Sequence, residues 1–423
     1  MEAQGRLSRA DEFMDLPEAL ITRILCHSAP KDISSTSKTC KYLNKLINSP
    51  EFQKVYQVSR HKRGCIITDN YGSECPEPLL YIYDIISLQW STIAVAKLCP
   101  SMLNPKMVSA SGGLILFLAN KRRSCDDGRG LSEQRKELVV VQLFTKGTII
   151  LPDPPSPVVL SSEIANNCLI EIVVDDMGSS YKVILFAPIL MKEVFWVYDS
   201  CTPAWKQVTL SDTGFPLRGL NRIVSRRSVL YRGVLYWLIV GLTGASYLIF
   251  YDTQCDALRR PILCFSRAET SSLCGIAVCG GKVIRVSKYS RGESGLSVSQ
   301  LNEENCDDWE PLFESSVPNI GCDVFCETGL GMAVCSSAEE ENMFWMLCLV
   351  SKEKEIYGHK MLGRHMWLFA CNRRDGNWQQ LSPCTTGECD DKYHSGVTNG
   401  IFHRPLSQAK WMNFKFSGPI GPI

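Results

Sequence analysis

"FWVYDSCTPAWKQVTL" (195–210) is an apolar run that ends in Tyr198-Asp199, breaks at a short polar turn and resumes at Trp205, seven residues after the tyrosine. "YIYDIISLQWSTI" (81–93) repeats the arrangement with Tyr83 and Trp90, and "LIFYDTQCDALRRPIL" (248–263) repeats it with Tyr251 and Leu258. Looser copies are "LVVVQLFTKGTIILPDPP" (138–155), with Ile149 near the tryptophan position, "LSVSQLNEENCDDWEPL" (296–312), with Trp309, and "MWLFACNRRDGNWQQLSP" (366–383), with Trp378. Valine-, isoleucine- and aromatic-rich runs flanking a polar turn read as β-hairpins. Aspartate suits such a turn because its carboxylate accepts hydrogen bonds from nearby backbone N–H groups. A large ring at the second position fills space between packed sheets.

The six marker positions are 51 to 69 residues apart. Further strand-like runs fall between them: "GGLILFLA" (112–119), "YKVILFA" (181–187), "GGKVIRVS" (280–287) and "NMFWMLCLV" (342–350). About 50 residues and four strands per unit is the period of a β-propeller blade. Residues 65–420 are thus expected to form a propeller of six blades, or seven, with an array of β-sandwiches as the alternative. Tyr83, Trp90, Tyr198, Trp205, Tyr251, Trp309 and Trp378 are its expected blade-packing residues. "GVLYWLIVGLTGASYLIFY" (233–251) carries no charge, but its centre, "GLTGAS", is a turn cluster, so it reads as a buried hairpin and not as a membrane helix.

Ahead of the strands the periodicity is helical. In "LPEALITRILCHSAPKD" (16–32) a proline opens the run, Glu18 stands in the first turn, and Leu20, Ile21, Ile24 and Leu25 form an apolar stripe that stops at Pro30. "CKYLNKLINS" sets Cys40, Leu43, Leu46 and Ile47 on one side, and Phe52, Val55 and Tyr56 follow after Ser49-Pro50. The chain therefore reads as an α+β multidomain protein: a loose segment at 1–12, a small helical module at 13–60, and a mainly β domain. A module of this size buries little apolar surface by itself, so its stripe either packs on a neighbour or docks another chain.

Lysine plus arginine total 45 against 44 aspartate plus glutamate, which leaves no field to hold a nucleic acid backbone or an anionic membrane. The opening "MEAQGRLSRADEFMD" has no apolar h-region, so the chain is expected inside the cell, in cytoplasm, nucleus or both. In that setting the 20 cysteines read as reduced thiols, many of them small buried hydrophobes.

Signatures of chemistry are missing. No G-x-S-x-G, H-E-x-x-H or G-x-x-x-x-G-K-[ST] motif occurs. Asp175-Asp176, Asp307-Asp308 and Asp390-Asp391 sit in turn-like surroundings rather than as facing catalytic acids. Cys384, Cys389, His394 and His403 match no familiar zinc spacing, and Cys322 with Cys326 lacks a second half. Arg222, Arg226, Arg227 and Arg232 read as a solvated loop or the rim of a binding face. No catalytic residue, metal or cofactor is expected.

"LPEALITRIL", a break, "PKDI", then "CKYLNKLINSPEF" resembles the F-box, and the repeated hairpins resemble plant kelch-type or F-box-associated propellers. The first resemblance implies that Leu16, Pro17, Leu20, Ile24, Leu25, Pro30 and Ile33, with Lys31 and Asp32 beside them, contact a Skp-family adaptor. Through it the chain would join the cullin and RING subunits of an SCF-type ubiquitin ligase. Cys40, Leu43, Leu46 and Ile47 would hold the helices together, and the propeller would recruit a protein substrate without doing chemistry itself. The competing readings are a propeller that binds a carbohydrate or other small ligand, and an F-box scaffold acting outside the ligase.

Overall fold

Pro17 fixes the backbone at the entry to a helix, and its carbonyl accepts the N–H groups of Leu20 at 2.8 Å and Ile21 at 3.1 Å. Helix α1 (Glu18–Cys26) follows, with an acid in its first turn and Arg23 in its last, both favourable to the helix dipole. Helix α2 (Lys41–Ile47) is capped by Cys40, whose Sγ accepts from the Leu43 N–H at 3.4 Å. A thiol thus fills the place usually taken by serine or asparagine.

This computed structural model describes residues 15–26, 28, 33, 35–52, 55–56, 64–70, 78–84, 89–120, 136–143, 147–155, 168–175, 180–189, 192–208, 223–241, 246–265, 273–288, 295–302, 309–316, 332–335, 343–356, 359–372, 374, 376–380 and 409–413. They form six four-stranded antiparallel sheets. The first contains β1 (Gly64–Asn70), β2 (Leu79–Asp84) and β3 (Gln89–Ala94), and the short helix α3 (Val95–Leu98) leads out of it. Then come β4 (Leu103–Ser111), β5 (Leu114–Asn120), β6 (Lys136–Gln142) and β7 (Thr148–Ile150) in the second. The third holds β8 (Leu169–Val174), β9 (Tyr181–Ile189), β10 (Lys192–Asp199) and β11 (Ala204–Val208). The fourth holds β12 (Ile223–Tyr231), β13 (Val234–Gly241), β14 (Ser246–Asp252) and β15 (Ala257–Phe265). The fifth holds β16 (Leu273–Cys279), β17 (Lys282–Lys288), β18 (Gly295–Leu301) and β19 (Trp309–Ser316). The sixth holds β20 (Met332–Cys335), β21 (Met343–Ile356), β22 (His359–Asn372) and β23 (Trp378–Gln380).

The fourth strand of the first sheet comes from the far end of the chain. β24 (Ala409–Asn413) pairs with β1 through Gly64↔Asn413, Ile66↔Trp411 and Thr68↔Ala409. It is the inner strand of that sheet and lies between β4 of the second and β20 of the sixth, closing the ring of a β-propeller.

The core lies between sheets. In β5, Leu114, Leu116 and Leu118 pack toward the third sheet, while Ile115, Phe117 and Ala119 pack toward the first. Val183, Leu185 and Ala187 of β9 face the second sheet, and Ile184 and Phe186 face the fourth. Both faces being covered, these strands are apolar without alternation. Val95 and Leu98 of α3 fill the seam between the first and second sheets. Buried thiols join the same seams, Cys99 in one and Cys168 in the next, and neither is in a disulfide.

All six marker positions stand on the outermost strand of a sheet. Tyr83 pairs with Trp90, Tyr198 with Trp205, Tyr251 with Leu258, Leu301 with Trp309 and Cys371 with Trp378. The side chain of Trp378 lies outside the described residues. Tyr83, Tyr198 and Tyr251 are fully buried, and the rings of Trp90 and Trp205 sit 5.1 and 5.6 Å from their tyrosines. Trp205 faces the second sheet, and its Nε1–H donates to the Pro152 carbonyl there at 2.8 Å. Trp309 packs toward the fourth sheet, with the Arg285 guanidinium 4.7 Å from its ring centre. Ile149 departs from this pattern. It pairs with Val140 and faces forward to the third sheet, because a shift of one residue along a strand reverses its face.

The turns obey the expected chemistry. Asp199 accepts from the Cys201 N–H at 2.8 Å, Asp252 from Gln254 at 3.0 Å, and Asn372 takes the same part toward Arg374 at 3.0 Å. In the hairpins between first and second strands, Gly112-Gly113 and Gly280-Gly281 have positive φ, as does the pair Arg232-Gly233. The last pair was hidden in the sequence because an arginine, lying 5.0 Å over the Tyr231 ring, occupies its first place. Asp256 also has positive φ, at 51°, and ties the third sheet to the fourth. It bonds Lys182 Nζ at 2.7 Å, Lys206 Nζ at 3.3 Å and the Tyr251 hydroxyl at 2.7 Å. Burial pushes its carboxyl up, but the bonds from Lys182 and Tyr251 and the charge of Lys182 outweigh that and hold it below its ordinary value.

Two measurements check these points. A Cβ on Gly112 would stand 2.7 Å from Val174 Cβ at φ 58°, whereas one on Gly281 meets only the Tyr231 hydroxyl at 3.4 Å. Gly112→Ala is expected to cost about 2–4 kcal/mol in urea unfolding and Gly281→Ala about 1. A carboxylate whose folded pKa lies below its unfolded value adds stability above the unfolded pKa and loses it as pH falls through the folded one. Asp256→Asn, which tolerates positive φ, should therefore cost about 1–2 kcal/mol at neutral pH, a difference that shrinks as pH drops below about 4.

Candidate functional site

The four apolar residues of the α1 stripe divide between two faces. Ile21 and Leu25 are buried together with Cys26, Ile33, Leu43, Leu46, Ile47, Phe52 and Tyr56, and Leu16 and Cys40 pack against this cluster half-buried. Leu20 is 46% exposed and Ile24 45% exposed, and Pro17, three residues before Leu20, is exposed as well. Spacings of three and four residues put Pro17, Leu20 and Ile24 in one line along the helix, turned away from the cluster. Tyr42, itself 37% exposed, donates its hydroxyl to Glu18 Oε2 at 3.2 Å and so pins α2 beside the first turn of α1.

The expected adaptor contacts thus separate by position. Pro17, Leu20 and Ile24 form an outward apolar line, Leu16 sits at its edge half-buried, and Leu25 and Ile33 belong to the module's interior. Pro30, Lys31 and Asp32 lie outside the described residues. Of the residues expected to hold the helices together, Leu43, Leu46 and Ile47 are buried, and Cys40 adds its cap. Phe52 and Tyr56 stack at 5.5 Å while Val55 is exposed. Ile21, fully buried, is the interior residue that the single-stripe reading did not separate out, although its i, i+4 spacing to Leu25 was the signal.

A second polar constellation lies at the inner strands of the propeller. Glu171 of β8, 7% exposed, accepts from Ser109 Oγ of β4 at 2.5 Å and from Ser228 Oγ of β12 at 2.5 Å. Ser109 Oγ in turn accepts from the Ile172 N–H at 3.1 Å. One carboxylate thereby links the inner strands of three consecutive sheets. Its trace in the sequence was a lone acid inside "LIEIVV" (169–174).

The remaining chemical candidates resolve simply or lie outside the described residues. Asp175 accepts from the N–H and Oγ of Ser180 and closes a turn. Asp176, Asp307, Asp308, Asp390, Asp391, Arg222, Cys322, Cys326, Cys384, Cys389, His394 and His403 fall outside, as do the side chains of Arg226 and Arg227. Among the described residues no group of three or more His, Cys, Asp or Glu is placed to hold a metal ion, and no helix is long and apolar enough to cross a membrane.

Residues 13–54 match the F-box domain, a span that includes α1, Ile33 and α2. No curated protein matches the chain. Among solved structures, TolB from Acinetobacter baumannii is similar at 10% identity over 85% of this chain and 72% of that one, with a TM-score of 0.43. Prolyl oligopeptidase B from Galerina marginata matches at 8% identity and a TM-score of 0.39, over 74% of this chain, which spans 40% of the oligopeptidase. An α-L-arabinofuranosidase from Podospora anserina, in complex with cellotriose, matches at 9% identity and a TM-score of 0.33, over 62% of this chain and 89% of that one.

The two faces of α1 predict opposite costs. Leu25→Ala should destabilise the helical module by about 2–4 kcal/mol, read as faster proteolysis within residues 13–60, whereas Leu20→Ser should change it by less than about 0.5. The chain joins an F-box domain at residues 13–54 to a β-propeller.

Proposed function

We propose that the chain is the substrate-receiving subunit of an SCF-type ubiquitin ligase. Its outward line of Pro17, Leu20 and Ile24 docks a Skp-family adaptor and through it the cullin and RING subunits. The propeller, of kelch-like type, receives a protein substrate in cytoplasm or nucleus. The observation that carries this reading is the position of that line: two large aliphatic side chains, each nearly half exposed, stand on the first helix of a segment that matches the F-box. Apolar area left in water on a module with its own filled core is a binding surface in waiting, worth about 25 cal/mol per Å² once covered.

In this reading the chain performs no covalent step. It raises the effective concentration of substrate lysines near the activated ubiquitin held elsewhere in the assembly. Glu171, its carboxylate engaged by two serine hydroxyls, ties sheets together and takes no part in chemistry.

The test is binding of the full chain to a recombinant Skp-family adaptor by calorimetry. Wild type is expected to bind, and Leu20→Asp with Ile24→Asp is expected to weaken binding at least about 100-fold, with the melting temperature held, because each carboxylate would be buried in an apolar contact. A wild-type chain that does not bind, or a folded double variant that binds as tightly, overturns the proposal. Loss of an adaptor-dependent ubiquitin transfer to co-purified protein in the same variant separates a ligase subunit from a scaffold.

A further inference from the structure

The hairpin between β12 and β13 turns in two residues, Arg232 and Gly233, flanked by the pair Tyr231↔Val234. Both have positive φ, 48° at the arginine and 76° at the glycine. A two-residue turn of this hand favours asparagine or glycine at its first place, because a larger side chain is disfavoured in the left-handed region. The corresponding hairpins of the second and fifth sheets carry Gly112-Gly113 and Gly280-Gly281. Arginine at 232 therefore works against its own backbone, and outliers of this kind gather at functional positions.

The strained residue is firmly held. Its guanidinium lies 5.0 Å over the Tyr231 ring, and the Tyr231 hydroxyl donates to the Gly281 carbonyl of the fifth sheet at 2.5 Å. The Gly233 carbonyl accepts from the Thr253 N–H at 2.8 Å and from Thr253 Oγ1 at 2.7 Å. Gln254 packs on the same turn, so closely that a Cβ on Gly233 would stand 3.3 Å from its Nε2. Arg232 is nevertheless exposed, and among the described residues its guanidinium makes no hydrogen bond or ion pair. β12 and β16 are neighbouring inner strands, so this hairpin stands beside Gly280-Gly281 at one mouth of the central channel. Of the four arginines that the sequence suggests as the rim of a binding face, it is the one whose side chain is described.

We propose that Arg232 is the point at which the propeller grips an acidic side chain of its protein partner. A guanidinium stacked on a ring by one face keeps its N–H edges for a carboxylate, which it can meet in a two-pronged pair. Its fixed position also lowers the entropy lost when a long side chain is ordered on binding. Asp252 stands in the turn that packs on Gly233, accepting from the Gln254 N–H at 3.0 Å, so a singly charged carboxylate suits the site better than a dianionic phosphate. The proposal rests on the receptor reading, since it names the chemistry of the substrate that the propeller would receive.

The experiment selects a phage-displayed library of random peptides on the full chain and counter-selects on Arg232→Asn. Asparagine tolerates positive φ, so this variant is expected to melt no lower than wild type. Peptides that need Arg232 are expected to carry aspartate or glutamate. Anisotropy of such a peptide, synthesised with a label, should show binding that weakens at least about tenfold on Arg232→Asn, and equally when its acid is converted to the amide. The absence of any peptide that depends on Arg232, dependent peptides without an acid, or a variant that melts clearly lower than wild type overturns the proposal. Tighter binding when phosphoserine replaces the acid overturns it as well. Adaptor binding is measured on the same samples. If the adaptor binds and no peptide depends on Arg232, the grip fails while the receptor reading stands, and if an acidic peptide depends on Arg232 and the adaptor does not bind, the receptor reading fails and the grip stands.

Discussion

A strand such as β5 has two apolar faces, and a single sheet has nothing of its own with which to cover both. Leu114, Leu116 and Leu118 need the third sheet, and Ile115, Phe117 and Ala119 need the first. The same division recurs at β9, β10 and β13, so each sheet is stable only as part of a ring. A ring in turn has to close. That closure falls to β24, which brings residues 409–413 beside residues 64–68 and gives the first sheet its inner strand. An open arc would leave the apolar faces of two sheets in water, a cost that grows by about 25 cal/mol for each Å² exposed.

Polar groups within this framework tie sheet to sheet. Glu171 accepts from serines on both neighbouring inner strands, Trp205 donates to the backbone of the sheet before it, and Asp256 joins Lys182 and Tyr251 across a seam. Each such link is satisfied only when its neighbour is in place, because an unpaired buried polar group costs about 1–3 kcal/mol. Apolar packing is non-directional, and these bonds supply the register that packing alone does not.

The helical module solves a different problem. Its interior is closed by Ile21, Leu25, Ile33, Leu43, Leu46, Ile47, Phe52 and Tyr56, while Leu20 and Ile24 stay outside it. Read linearly, Leu20, Ile21, Ile24 and Leu25 form one broad stripe. A helix turns 100° per residue, so adjacent members of that stripe diverge enough for one pair to face the core and the other to face away. Which pair faces which way depends on where α2, Phe52 and Tyr56 come to rest, and none of these is encoded locally in α1.

Local chemistry was legible in the residues themselves. Tyrosine followed by aspartate and a large apolar residue seven places on marks a hairpin of fixed length, since a turn closed by Asp199 or Asp252 admits few geometries. That pattern and its looser copies fall on the outer strand of each sheet, although Ile149 faces the other way, and proline with glutamate marks the start of α1. Features that depend on a partner distant in sequence stayed hidden: the Arg232-Gly233 turn behind an arginine, the forward face of Ile149, the carboxylate of Glu171 between Ser109 and Ser228, and the pairing of β24 with β1. By itself the sequence determined the strands, the turns and the repeat, because backbone preference and side-chain alternation act over a few residues. Only the tertiary structure decided which faces meet, which leucines remain in water and how the ring closes, because burial is a property of two surfaces and the second lies tens to hundreds of residues away.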